Sequence, residues 1–368
     1  MSAEEMKRRF EEELEKQKAE LQKPNLAVVG GTGVGKSSLI NRIFGKKIAA
    51  IGNGEPVTRG MNRIEAANIV FYDTEGYEIT SEGIDNSNFE TNVKAEILEM
   101  GKQELKKQIH LVWYCISISN HRVTEYDLNN ITWFVNHNMN TAVVFTQCDN
   151  DEEGPDGKGV TATEFAKIIH EKIAKIPCFE TCGDAQGDDL KLDLEKLIQW
   201  SQQALPNEQL RQSFVAAQLA SIDTKKSEAY KIVMAAAASA TTAAGLNPLP
   251  LSDAFLLAPI QLGMCIKIGH IFFGSVEGIS ALLKTQIMSI LGKQAATSLS
   301  KLIPILGNIV NAGVAGALTY ALGTAITEIY AKAYEEMLRT GKLPDWAEIL
   351  NSSMFDIAFN KGREAYKK

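Results

Sequence analysis

A chain of 368 residues, 45% hydrophobic and 23% charged, has a globular composition and enough length for two domains with cores of their own. Its formal net charge of −7 speaks against a protein that works by gripping nucleic-acid phosphates. The charge is uneven: residues 1–204 carry 23 Lys+Arg against 33 Asp+Glu, while residues 205–368 carry 15 against 12, so the second part presents a different surface.

Residues 3–22 are strong helix formers without Gly or Pro, and Met6, Phe10, Leu14 and Leu21 fall near one face. The spacing predicts a long solvated helix with a narrow apolar seam, packed by default on its own domain. The opening MSAEEMKRRF holds no apolar leader, and a cytoplasmic setting is expected. From Asn25 strands and helices alternate. NLAVVG, AANIVFYD, IHLVWYCISIS, TAVVFTQ and PCFETC read as strands. KSSLINRIFG, NVKAEILEMGKQELKKQ, TEYDLNNITWFVNHN, TATEFAKIIHEKIAKI and LDLEKLIQWSQQAL read as helices. Such alternation predicts an α/β fold, a mostly parallel sheet with helices on both faces.

Leu205-Pro206-Asn207 punctuates that pattern, and no strand is expected beyond it. The reading divides the chain into an N-terminal helix (1–23), an α/β domain (24–204) and an all-α helical domain (205–368). Pro248 and Pro250 stop one helix and Ser252 caps the next. Leu302–Thr327 is uncharged over 26 residues, long enough to raise a membrane question. Pro304, Asn308 and Asn311 interrupt it, and Gly313, Gly316 and Gly323 allow close helix packing in lipid or water. A buried helical hairpin is expected rather than a span. The five cysteines are odd in number and follow no metal spacing, which suits buried thiols in a reducing cytosol. The five histidines are scattered and are assigned no role.

GGTGVGKS, Gly30 to Ser37, fits GxxxxGK[ST] between a predicted strand and a predicted helix. Glycines let such a loop curl so that backbone N–H groups face phosphate oxygens, and the helix N-terminus adds its dipole. Gly30, Gly31, Thr32, Gly33, Val34, Gly35, Lys36, Ser37 and Ser38 are therefore the candidate phosphate cradle. Lys36 reaches the β- and γ-phosphates, and the Ser37 hydroxyl suits Mg²⁺. In FYDTEGYE, Asp73 suits Mg²⁺ through water and the Gly76 N–H suits the γ-phosphate. Thr58, in a loop between these motifs, offers Mg²⁺ a hydroxyl and the γ-phosphate an N–H. Such a loop is ordered by triphosphate and released on hydrolysis. Thr32 and Thr74 are poorer placed for that role. TQCD (Thr146–Asp149) ends a buried strand with an acidic group, where α/β proteins hold ligands.

With these parts in order, residues 24–204 resemble a GTPase G domain of the translation-factor-related class, of Era-like or immunity-related type. The resemblance makes GGTGVGKS, Thr58, DTEG, TQCD and ETCG (Glu180–Gly183) its five motifs. It implies that Asp149 accepts from guanine N1–H and the 2-amino group. Adenine would leave that carboxylate unpaired, which is the basis of discrimination. Thr146 would bond across to the phosphate loop. Gln147 stands where relatives carry Lys, whose stem covers one face of the base, so reduced affinity is expected. Backbone N–H groups near Cys182 and Gly183 would meet guanine O6. Tyr77 stands where many relatives have a water-orienting Gln, which implies slow intrinsic turnover. Glu75, Glu78, Arg59 and Arg63 lie nearby in sequence, and none of them is assigned that role.

The segment TTAAGLNPLPLSDAFLLAPIQLGMCIKIGHIFFG, with Pro248, Pro250, Asp253, Pro259 and Gln261, resembles an uncharacterised helical domain found after some bacterial GTPases. The function expected is Mg²⁺-dependent hydrolysis of GTP to GDP, with the helical domain coupling nucleotide state to a partner or a membrane surface. A homodimer through the G domains is a further expected partner, and nucleic acid is not. The alternative is a nucleotide-dependent assembly or membrane-attached module with little hydrolysis.

Overall fold

The protein is described by a computed structural model that covers residues 3–20, 22–45, 55–66, 68–74, 78–80, 83–85, 88–120, 122–183, 192–218, 222–245, 253–274, 312–340 and 354–366. The chain divides into two compact units, one of Gln22–Leu219 and one of Met1–Leu21 together with Ala220–Lys368. The first unit holds a seven-stranded sheet. Its strands are β1 (Asn25–Gly30), β2 (Glu55–Thr58), β3 (Met61–Glu65), β4 (Val70–Thr74), β7 (Leu111–Ser117), β8 (Thr141–Thr146) and β9 (Cys178–Glu180). The order is β2-β3-β4-β1-β7-β8-β9. Strands β4, β1, β7, β8 and β9 pair in parallel, and β2 and β3 add an antiparallel edge. Two short strands, β5 (Glu78–Thr80) and β6 (Gly83–Asp85), form a separate antiparallel pair.

The central strands are apolar on both sides because both faces are covered. Ala27, Val29, Val112, Tyr114, Ile116, Val143 and Phe145 face one core. It is closed by α3 (Lys94–Gly101), α4 (Glu125–Asn136) and α5 (Val160–Lys172). Their alternates, Leu26, Val28, Leu111, Trp113, Cys115, Ala142 and Val144, face the other. That side is closed by α2 (Lys36–Phe44), α6 (Leu194–Ala204) and α7 (Glu208–Ala217). The α/β architecture read from the alternation is the one found.

Two segments differ from the sequence reading. NGEPVTRGMN, read as a loop, contains the β2–β3 hairpin, with Thr58 opposite Met61 across the turn Arg59-Gly60. Helix α7 lies beyond the sequence boundary at residue 204, yet it belongs to the sheet unit. Asn207 caps it by accepting from Leu210 N at 2.9 Å, and Leu210 and Phe214, one turn apart, enter the sheet core. The Phe214 ring meets Phe44 edge-on at 5.8 Å.

The second unit is helical among the described residues. It contains α1 (Ala3–Glu20), α8 (Ile222–Gly245), α9 (Asp253–Phe273), α10 (Ala312–Thr340) and α11 (Met354–Ala365). Helix α1 packs on α9, and α10 packs on α8, α9 and α11. A Cβ on Gly323 would stand 2.6 Å from Val233 Cγ2, so α10 approaches α8 where it has no side chain. Gln261 of α9 donates to Thr319 Oγ1 of α10 at 3.1 Å. No described helix is long and apolar enough to cross a membrane. The Pro248–Ser252 corner and residues 302–311 of the uncharged stretch lie outside the described residues.

Candidate functional site

The carboxyl ends of β1, β4, β7 and β8 deliver the candidate residues to one edge of the sheet. Strand β1 runs into the loop Gly31–Gly35, and α2 begins at Lys36. Gly35 takes φ 89° at the helix cap, a left-handed conformation that a side chain would strain. Lys36 Nζ donates to Gly30 O at 2.9 Å and Gly31 O at 3.0 Å, so the ammonium lies across the start of the loop. Burial lowers its pKa, while the Asp73 carboxylate works to raise it. The reverse holds at Asp73 on β4, where burial raises the pKa and Lys36 opposes it. Asp73 Oδ1 is buried without a hydrogen-bond partner among the described residues. Ser37 is exposed and Ser38 half-buried at the start of α2. Thr74 is turned inward, donating to Val28 O at 3.2 Å.

The second half of the site comes from β8 and β9. Thr146, the last residue of β8, donates from Oγ1 to Val34 O at 2.5 Å, a buried bond that joins the strand to the phosphate loop. Gln147 follows at φ 60° and opens the short turn Cys148–Asn150, on which Asp149 is exposed. Cys148 N donates to Thr181 O at 3.1 Å, and Thr181 N to Phe145 O at 2.8 Å, tying this turn to the segment after β9. That segment then passes Cys182, which is buried, to Gly183. A Cβ on Gly183 would lie 2.5 Å from Ser38 Cβ, so a glycine lets the segment rest on the first turn of α2.

Thus the loop 30–38, Asp73, Thr146, Gln147, Asp149, Cys182 and Gly183 come together. Thr58 sits at a strand end, half-buried, and not in an open loop. Gly76, Tyr77 and Glu75 lie outside the described residues. Arg63 is paired with Glu65 on β3, and Arg59 is exposed in the hairpin turn. The sequence reading missed Ser117, whose Oγ donates to Gln147 Oε1 at 2.7 Å. Its signal was its place as the last residue of β7, in register with Thr146.

Residues 25–147 match the sequence model of a family described as 50S ribosome-binding GTPase. A probable GTP-binding protein EngB of Cytophaga hutchinsonii is 26% identical over 161 residues, covering 43% of this chain and 76% of that protein. Among solved structures, a probable GTP-binding protein engB is 19% identical, with a TM-score of 0.35 over 49% of this chain and 97% of the other. A structure of Era in complex with MgGDPNP and nucleotides of 16S ribosomal RNA is 18% identical, with a TM-score of 0.35 over 59% of this chain and 67% of the other. Strand order and phosphate loop give Gln22–Leu219 the P-loop GTPase fold, and residues 25–147 within it carry the match to the GTPase family.

Proposed function

We propose that the chain binds GTP and GDP, hydrolyses GTP to GDP and phosphate with Mg²⁺, and passes its nucleotide state to its helical unit. The observation that carries this reading is the Thr146–Val34 bond, which holds the base-selecting turn against the phosphate loop. Lys36 would leave the carbonyls of Gly30 and Gly31 for the β- and γ-phosphates. The orphaned Oδ1 of Asp73 and the exposed Ser37 hydroxyl suit Mg²⁺, with Thr58 as a further oxygen donor. When bound there, the ion would supply positive charge against the phosphates. Asp149 would accept from guanine, and the backbone at Cys182 and Gly183 would meet its O6.

Helix α1 and helices α8–α11 belong to one unit, so both ends of the GTPase domain continue into the same helical body. This supports coupling, because a change at either end of the domain acts on one structure. Coupling is reciprocal: a partner or lipid surface that favours one nucleotide state shifts nucleotide affinity by the same factor.

Calorimetry with Mg²⁺ tests the binding claim. GTP and GDP should bind and ATP should not, and Asp149→Ala should erase the preference. Equal affinity for ATP and GTP in the unaltered protein would overturn the guanine assignment. GTP turnover measured against protein concentration, with and without lipid vesicles, tests whether a second copy or a membrane completes the catalytic site. Hydrogen exchange in α8–α10 should differ between a GTP analogue and GDP, and identical exchange would reduce the helical unit to a passive anchor.

A further inference from the structure

Three features at the end of β7 and β8 bear on nucleotide affinity. Gln147 is one of two non-glycine residues with positive φ among the described residues. A non-glycine residue in this left-handed conformation is strained and persists where its surroundings enforce it. Backbone bonds from Cys148 N to Thr181 O at 3.1 Å and from Asn150 N to Gln147 O at 3.2 Å hold the turn, and the hydrogen bond from Ser117 Oγ to Gln147 Oε1 at 2.7 Å holds the side chain. Ser117 is itself fixed: it is 3% exposed, and its Oγ accepts from Ser119 N at 3.2 Å. The sheet order supplies the direction. Strand β7 lies between β1 and β8, so a side chain reaching from Gln147 to Ser117 runs back along the sheet edge toward the phosphate loop. It therefore spans the interval between the loop after β1 and the Asp149 turn after β8. In the guanine-nucleotide reading, on which this inference rests, the base and ribose occupy that interval.

We infer that Ser117 is a positioning residue for nucleotide affinity, which holds the Gln147 amide flat as a wall for one face of the base. The Ser117 hydroxyl donates to the amide oxygen and so fixes the far end of the Gln147 side chain. A long flexible side chain loses rotamer freedom when it packs on a ligand. Anchored by Ser117, Gln147 has lost that freedom before the nucleotide arrives, and a short amide stem then serves where a longer one would otherwise be needed. The wall contacts a π-face, and every purine has one, so it contributes affinity without choosing guanine. Choice stays with Asp149.

The test is a double-mutant cycle on full-length protein, read as Kd and dissociation rate of GDP and as the GDP:ADP ratio. Ser117→Ala should weaken GDP binding about fivefold, the order expected of one lost neutral hydrogen bond, chiefly through faster release. The GDP:ADP preference should not change. In a Gln147→Ala background the same substitution should have no effect, because there is nothing left to position. Equal losses in both backgrounds would mean that Ser117 only supports the strand end, and the inference falls. Unchanged GDP affinity in Ser117→Ala would overturn it as well. If the unaltered protein binds no guanine nucleotide, the parent reading fails first and this one with it; if it binds GDP but the cycle is additive, only this one fails.

Discussion

The two units use polar groups differently at two places. At the carboxyl edge of the sheet in the GTPase unit, Asp73 Oδ1 is buried and unpartnered among the described residues, and Asp149 is exposed on a braced turn. In the helical unit, buried and half-buried polar groups tie helices to each other. Gln261 bonds Thr319, Tyr230 and Lys226 reach Glu328, and Lys225 Nζ donates to Ile271 O at 2.7 Å. An unsatisfied carboxylate beside a phosphate loop marks a place for a ligand, whereas a polar group satisfied across helices marks a joint. The difference implies that substitutions at the sheet edge remove function with little loss of fold, and that substitutions in the bundle do the opposite.

The largest effect should come from Lys36→Ala. It removes the one cation at the start of α2 that the site can turn onto phosphates, and nucleotide binding should fall by at least about a hundredfold, the scale of a lost charge-assisted contact. The thermal midpoint should stay near that of the unaltered protein, because the two bonds given up are to loop carbonyls. Calorimetry and a melting curve on the same sample check both halves. A collapse of the fold would erase the contrast between the units.

Much of this site was legible in the sequence because its parts are local. GxxxxGK[ST] sets the loop and helix within eight residues, and a buried strand ending in TQCD sets the turn. The hairpin that carries Thr58 is local and has a signal of its own, Arg59-Gly60 between two short β-prone runs. The other parts that were not legible depend on distant chain. Helix α7 was given to the helical domain because nothing in its own pattern says that Leu210 and Phe214 meet Phe44. Ser117 became visible only through the register of β7 with β8. Helix α1 was legible, but an apolar stripe does not name its partner, and the helix that α1 packs on is α9.

Next in size is Gly323→Val. A Cβ there already meets Val233 at 2.6 and 2.7 Å and Met264 Sδ at 2.8 Å. Met264 can rotate away, but Val233 is stiff at χ1 and fully buried. Overpacking of this kind costs about 3 kcal/mol, and α8 and α10 should lose amide protection. GDP and GTP binding should persist, with only their ratio altered, since the cradle and the Asp149 turn belong to the other unit. If binding is lost outright, the units do not divide function from fold as drawn above.

The smallest effect is a pH dependence in the bundle. Lys225 is fully buried, with its ammonium 5.0 Å over the Tyr334 ring, and burial pulls its pKa from 10.5 down to about 7. Between pH 7 and 10.5 the unfolded chain therefore holds a proton that the folded chain has released. Stability then rises with pH across that window, by at most about 1.4 kcal/mol per unit for one proton, and the full penalty is present below pH 7. His270, drawn down to about 4 by burial and secondarily by Lys225, adds a second loss as pH falls from 6.5 through 4. Trp113, Trp133 and Trp200 lie in the GTPase unit and Trp346 in the other, so in a Trp346→Phe background fluorescence follows the GTPase unit while helical ellipticity weighs the bundle. Urea unfolding by both probes from pH 6 to 9 follows the two units, and the part of the upward ellipticity slope that Lys225→Met removes belongs to Lys225. Lys225→Met gives up the bond to Ile271 O but also the buried charge, and such exchanges are often neutral or stabilising. It should flatten the slope and leave the pH 6 midpoint equal or higher. An unchanged slope in Lys225→Met would assign the dependence to other groups and remove Lys225 as the titrating joint.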